Sequence, residues 1–300
     1  MRMPSSVHPF SFETRIVAVT VALLISMMPG LCIASPPETL SPHVTVVRGA
    51  VNGVAIERAG HRLVVYGDPE RSWETAELVL FTHSRRDVAW AGRALVENGA
   101  EAVVPAGEAD QFSKVEDFWS GFWDKRFHDY AQQSTRVLTS PLRVGRTVQG
   151  GDELGWQDLS VRVLDTPGYT RGSVSYFVKV DGQEYGFVGD LIYGDGRLMD
   201  LYSLQDAVPE ARIGGYHGYA GRIGDLIASL KKVAEQKPDI LVPARGPVIR
   251  DPAAAIDRLI RRLQAVYENY LSISAGRWYF HDQYDVLASR ALGGDSKAPW

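Results

Sequence analysis

Apolar positions along the chain alternate between a period of two and a period near 3.6. From Val44 the runs Val44–Val47, Val51–Glu57 and Arg62–Tyr66 are split by Gly49, Asn52-Gly53 and Ala59-Gly60, which predicts a meander of antiparallel strands. Trp73 to Glu77 reads as one helical turn before a buried strand at Leu78–Phe81. A helix is expected from about Asp87, with Val88, Trp90, Ala91 and Leu95 on its inner face and a stop at Asn98-Gly99; Ala102–Val104 is the next strand. Phe112, Val115, Phe118, Trp119, Phe122, Trp123, Phe127 and Tyr130 recur at helical spacing across 108–133, broken by Gly121. That segment predicts a helix pair laying an aromatic stripe on the body of the protein. Its alternatives are a lid over a site, or a docking surface for a protein partner or a second copy.

Further strands are expected at Ser160–Leu164, Ser173–Val180 and Gln183–Val188. A helix over Arg222–Gln236 presents Ile223, Leu226, Ile227, Leu230 and Val233. A last long helix is capped by Asp251-Pro252 and carries Ile256, Leu259, Ile260, Leu263 and Tyr267. Strands flanked by helices on their outer faces give an α/β, four-layer αββα sandwich. Ser274–Trp300 is polar and reads as a loose end or the start of a truncated element.

The 300 residues are 45% apolar and 23% charged, ample for a core, and the net charge of −4 with no basic patch argues against a nucleic-acid partner. Arg2 and Arg15 precede the apolar run Ile16–Met28, which Pro29-Gly30 interrupts before Cys32-Ile33-Ala34. This pattern predicts a signal peptide over 1–34, cleaved after Ala34, and a secreted or periplasmic protein without a membrane span. The alternative is an anchor through 16–33, although a span needs about 20 apolar residues. The one cysteine, Cys32, lies in this leader, so the mature chain has no thiol. The expected organisation is a linker over 35–43, a domain over 44–272 with its aromatic insertion near 108–133, and a tail over 273–300.

Four ordered motifs carry the chemistry. His83-Ser84-Arg85-Arg86-Asp87-Val88 follows a strand and opens a helix; Thr166-Pro167-Gly168-Tyr169-Thr170-Arg171-Gly172-Ser173 follows another; Gly189-Asp190 ends a third; Pro243-Ala244-Arg245-Gly246 ends a fourth. Together they resemble the His-x-His-x-Asp-His, Thr-Pro-Gly-His-Thr-x-Gly-Ser, Gly-Asp and Pro-Gly-His-Gly motifs of the metallo-β-lactamase superfamily, over about Val44 to Tyr270. The resemblance implies a metallo-β-lactamase-like fold and two zinc ions that activate water for hydrolysis. In this chain the implied ligands His83, Asp87 and Asp190 stand, while Arg85, Val88, Tyr169 and Arg245 occupy the other four positions.

Arginine has no lone pair to give and stays charged at any working pH. Catalytic zinc wants about three protein ligands and an open position, and neither implied site reaches that number. The expectation is a degraded metal centre without a resident cofactor, in which Arg85 and Arg245 pair with Asp87 and Asp190. Arg85, Tyr169 and Arg245 are then candidate residues for a small anionic ligand, and Tyr169 fills the volume of imidazole and metal. The protein is expected to be a non-catalytic descendant that binds a ligand in the old cleft. Its alternatives are an extracellular scaffold docking through the aromatic insertion, and a hydrolase of an ester, lactone or thioester bond. That hydrolase would hold one zinc, manganese or iron on His83, Asp87 and Asp190 with His217, and Asp87 would be its catalytic residue.

Overall fold

The computed structural model describes residues 36–125, 136–214, 218–275 and 280–292. The first sheet contains β1 (Glu38–Ser41), β2 (Val44–Val47), β3 (Gly53–Arg58), β4 (His61–Val65), β5 (Leu78–Leu80), β6 (Glu101–Pro105) and β7 (Arg146–Val148), side by side in chain order. It is antiparallel through β4 and parallel from β4 to β7. The second contains β8 (Glu153–Trp156), β9 (Leu159–Asp165), β10 (Val174–Val180), β11 (Gln183–Phe187) and β12 (Ile240–Val242), with β12 parallel to β11 and the rest antiparallel. The helices are α1 (Arg86–Glu97), α2 (Ala109–Ser113), α3 (Val115–Lys125), α4 (Ile223–Glu235), α5 (Pro252–Ile273) and α6 (His281–Leu292).

β10 shows why this is a sandwich. Val174, Tyr176, Val178 and Val180 enter a core shared with the first sheet, while Phe177 points the other way, into a second core formed with α4 and α5. Side chains alternate faces along a strand. A strand buried on both faces therefore reads as the nearly unbroken apolar run seen here. On the other side α1 delivers Val88, Ala89, Leu95 and Val96 to the first core. The architecture is the expected αββα sandwich.

Polar tethers close the sandwich along one edge. The Tyr176 hydroxyl donates to the Phe81 carbonyl at 2.9 Å, and the Tyr66 hydroxyl donates to the Val242 carbonyl at 2.5 Å while accepting from the Gly189 amide at 3.1 Å. Asn52 donates from its backbone to Ala244 at 2.7 Å and from its side chain to Pro243 and Gly246 at 2.9 and 2.8 Å. Each bond joins the first sheet or its loops to the second, so this edge is held on both sides.

Several expected elements differ. The supposed linker holds β1, whose Glu38 carboxylate pairs with Arg48 and, at 2.8 Å, Arg250. Trp73–Glu77 forms no helix. Trp90 lies 58% exposed, because the inner face of α1 is made by Val88, Ala89, Gly92, Leu95 and Val96 instead. The polar tail contains α6, which packs on α4 and α5, buries Ala288 and sets Tyr284 beside Tyr270 with ring centroids 6.2 Å apart. Within the aromatic segment Phe112 is fully buried against Phe81, Trp119 donates its indole N–H to Leu138, and Trp123 is 71% exposed. Phe127 and Tyr130 lie outside the described residues, as does the whole 1–34 leader. No helix among the described residues is long and apolar enough to cross a membrane.

Gly92 gives a test of this packing. Glycine to alanine in a helix interior ordinarily adds about 1 kcal/mol of stability, but a Cβ at Gly92 would lie 2.5 Å from the Phe81 ring and 3.1 Å from the Tyr66 carbonyl. Overpacking of this kind costs about 1–3 kcal/mol. Gly92→Ala is therefore expected to lower the urea midpoint, and a raised midpoint would contradict the placement of α1.

Candidate functional site

The four motif loops meet at the tethered edge. β5 runs into the loop bearing His83 and Arg85, and the first turn of α1 adds Arg86 and Asp87. β9, β11 and β12 all run towards this edge and continue into Tyr169, Asp190 and Arg245. Gly189 is required where it stands. Its φ is +58°, and a Cβ there would lie 2.7 Å from the Thr82 hydroxyl and 3.1 Å from the His83 ring. This close approach lets Asp190 reach His83.

Asp190 and His83 are both buried, and the His83 Nε2–H donates to Asp190 Oδ2 at 3.0 Å. The backbone N–H of Arg85 reaches the other ring nitrogen, Nδ1, at 3.3 Å. Nδ1 is thus the acceptor and Nε2 carries the proton, as assigned from these bonds. Arg245 completes the group: one guanidinium nitrogen donates to Asp190 Oδ2 and the other to Asp87 Oδ2. Arg245 is 8% exposed, and the Asp87 side chain is about half exposed at the cleft floor.

The electrostatics follow from these contacts. Burial alone would raise the Asp190 carboxyl, but the His83 hydrogen bond and the Arg245 charge outweigh it and hold its pKa below the usual carboxylate value. Burial works against the charge on Arg245 too, yet Asp190 and Asp87 reverse this and push its pKa above the ordinary arginine value. Burial, reinforced by the Asp190 charge, raises the Tyr169 phenol. It therefore stays protonated, as a donor, with the Ser203 hydroxyl beside it.

Arg85 is placed beside Tyr169. Its guanidinium lies against Tyr169, donating to the backbone carbonyl at 3.4 Å with its carbon 5.3 Å from the ring centroid. The Tyr169 ring is also 5.4 Å from the His83 ring, so it packs against both. A single bridging arginine, Arg245, joins the two carboxylates. His217, the candidate extra ligand, lies outside the described residues.

Other residues of the site have no signature in the sequence. Glu108, 3% exposed, accepts from the Ser84 amide at 2.6 Å and the Gly172 amide at 3.0 Å, clamping the loops of His83 and Tyr169 together. A cavity of about 550 Å³ opens above Asp87 and Arg245, with Arg86, Trp90, Arg136 and Met199 also in its walls. Arg136 pairs with Asp200 at 3.2 Å and donates to the Ser203 hydroxyl.

The residues present do not fit a zinc ion. The His83 nitrogen nearest Asp190 holds a proton rather than a lone pair, and Asp87 and Asp190 are bridged by a guanidinium. At about 4 Å that cation would repel a divalent ion by several kcal/mol at an effective dielectric of ~20. Among the described residues no group of three or more His, Cys, Asp or Glu side chains is placed to hold a metal.

No family model matches the chain. Among curated proteins it is similar to hydroxyacylglutathione hydrolases of Hahella chejuensis, 33% identical over 75 residues (24% of this chain and 27% of that protein), and Brucella ovis, 39% identical over 59 residues (19% and 22%). The matched stretch spans only about a quarter of these relatives' length. Among solved structures it is similar to a Cronobacter sakazakii metallo-β-lactamase with a HARLDQ motif, at TM-score 0.55 and 15% identity over 80% of this chain and 95% of that one. It is similar also to the metallo-β-lactamase MIM-1 of Novosphingobium pentaromativorans, at TM-score 0.57 and 15% identity over 81% and 92%. The chain has the metallo-β-lactamase fold. Its four loops carry degenerate forms of the metal-binding motifs that it resembles.

Two measurements probe the charge cluster. Removing one partner of a buried ion pair costs about 3–5 kcal/mol, so Arg245→Ala is expected to lose stability in that range by urea denaturation at neutral pH. Because the folded pKa of Asp190 is depressed, its contribution is complete above the unfolded value of about 3.9 and is lost as pH falls through the folded value. Asp190→Asn should show a shallower acid decline than the unaltered protein; identical declines between about pH 5 and pH 2 would contradict the assignment.

Proposed function

We propose that this is an exported, metal-free descendant of the superfamily that binds an organic anion in the old active-site cleft and does not hydrolyse it. One observation carries the reading: the Arg245 guanidinium stands between Asp87 and Asp190, supplying the positive charge that the buried Asp190 carboxylate needs. The cavity over it is lined by Arg85, Arg86 and Tyr169, whose guanidinium groups and protonated phenol suit a carboxylate, sulfonate or phosphate. Asp87, the candidate catalytic residue, serves here to anchor Arg245. Export through the 1–34 leader agrees with the absence of cysteine after Cys32.

A second reading, hydrolysis, is favoured by one comparison. The letters H, R and D of the HARLDQ motif match His83, Arg85 and Asp87 in type and spacing, and that relative is named a metallo-β-lactamase. The similarity to hydroxyacylglutathione hydrolases points to a thioester rather than a β-lactam. Metal analysis combined with turnover decides between the two. The protein is dialysed and assayed on generic ester, thioester and phosphodiester substrates, with and without added zinc or manganese. No stoichiometric metal and no metal-dependent turnover are expected, and added zinc should leave the melting temperature unchanged. In Arg245→Ala the exposed demand for a cation should instead make the melting temperature rise with zinc. Zinc retained by the unaltered protein at one or more equivalents, or turnover that depends on it, would establish the hydrolase.

A further inference from the structure

The walls of the cleft differ in chemistry from its floor. Around and beneath the cavity four guanidiniums, of Arg85, Arg86, Arg136 and Arg245, face three carboxylates, of Asp87, Asp190 and Asp200. Arg245 is matched by Asp87 and Asp190, and Arg136 by Asp200. Among the described residues Arg86 makes no ion pair, and it stands half-buried on the cavity wall.

One helical turn beyond Arg86 is Trp90. Residues four apart on a helix share one face of its surface, and Arg86 and Trp90 both line the cavity. Trp90 is 58% exposed and Met199, also on the cavity wall, is 52% exposed. The Trp90 ring is nonetheless held in place. The Arg93 guanidinium lies 5.1 Å from its centroid and is itself fixed to the Ser140 and Pro141 carbonyls at 2.8 and 3.0 Å. A large apolar side chain fixed in water beside a cation is a surface prepared for a ligand with the converse pattern. An indole can bury much of its 150–250 Å² against a flat apolar partner, or roughly that order.

We infer that the cleft takes an organic monoanion with an aromatic body, its carboxylate or sulfonate on Arg86 and its rings between Trp90 and Met199. This rests on the reading of the cleft as a metal-free anion site. The cavity of about 550 Å³ lies within the range of about 300–1,000 Å³ usual for small-molecule sites and accommodates two fused rings. Trp90 sets the specificity for the body of the ligand, and Arg86 sets its charge.

Calorimetric titration with three probes tests this: naphthalene-2-sulfonate, the neutral 2-naphthol, and inorganic sulfate. Naphthalene-2-sulfonate is expected to bind one to one, about tenfold or more tighter than either of the others. Trp90→Ala, an exposed substitution with little bearing on folding, should weaken it about tenfold and leave sulfate unchanged. Arg86→Ala should weaken both anions and leave 2-naphthol unchanged. If Trp90→Ala leaves naphthalene-2-sulfonate untouched, or 2-naphthol binds as well as the sulfonate, the aromatic-anion inference is overturned. In that case sulfate binding that still responds to Arg86→Ala would leave the anion site itself standing. If neither anion binds, the anion-site reading falls, and the inference with it.

Discussion

The guanidinium of Arg245 between Asp87 and Asp190 is the contact on which the edge of this sandwich depends. Asp190 is buried at the end of a strand, within reach of His83 and under the loop of Tyr169. An unpaired carboxylate in such a place would be neutralised or would destabilise the fold. In the resembling superfamily the bridging aspartate is matched by metal ions. Here the match is covalent to the chain: β12 ends at Val242, and three residues later the arginine side chain turns back over the site. The charge that faces Asp190 is thus carried by the chain itself.

The same contact orders the rest of the site. With Arg245 on Asp190 Oδ2, His83 shares that oxygen through Nε2–H, and the Arg85 amide fixes the opposite ring nitrogen. Tyr169 then occupies the space beside His83, packed against the Arg85 guanidinium. Glu108 ties the loops of His83 and Tyr169 together from behind. Each replaced motif position is thus accounted for by charge or volume, apart from Val88, which joins the buried face of α1.

How much of this could be read in the sequence depended on how local each signal was. The four motifs lie at strand ends, and their order fixed the fold and the residues that would meet, because a Gly-Asp or a Thr-Pro-Gly turn is decided by backbone geometry within a few residues. Arg245 stood at a motif position and was legible; that it alone would span two carboxylates was not, since that depends on the distance between loops of different strands. Glu108, Arg136 and Asp200 belong to no motif, and only the folded chain brings them to the cleft. Trp90 was misplaced because an indole at an apolar period reads as core. Gly92, which permits the close approach of α1 to Phe81, moves that inner face round by part of a turn. The tail failed for the opposite reason: α6 is weakly amphipathic, and its few apolar contacts, Ala288 and Tyr284 among them, are decided by tertiary packing on α4 and α5.

A guanidinium and a metal ion are equivalent to a buried carboxylate but not to a substrate. Both supply positive charge at short range, so either can stabilise Asp190. A metal also has vacant orbitals that accept a water molecule and lower its pKa towards neutrality. A guanidinium has none, and its N–H groups can only donate hydrogen bonds. A guanidinium in place of a metal can therefore stabilise a buried carboxylate, but it supplies no nucleophile at neutral pH. The anion site proposed above would draw on Arg86 on the wall and on Tyr169, protonated at the floor. The positions that depart from the resembled motifs are those of its metal ligands, while the Gly189 turn and the cross-sheet tethers shape the cleft. A scaffold of this kind can shape a cleft for an anion without itself supplying a Lewis acid.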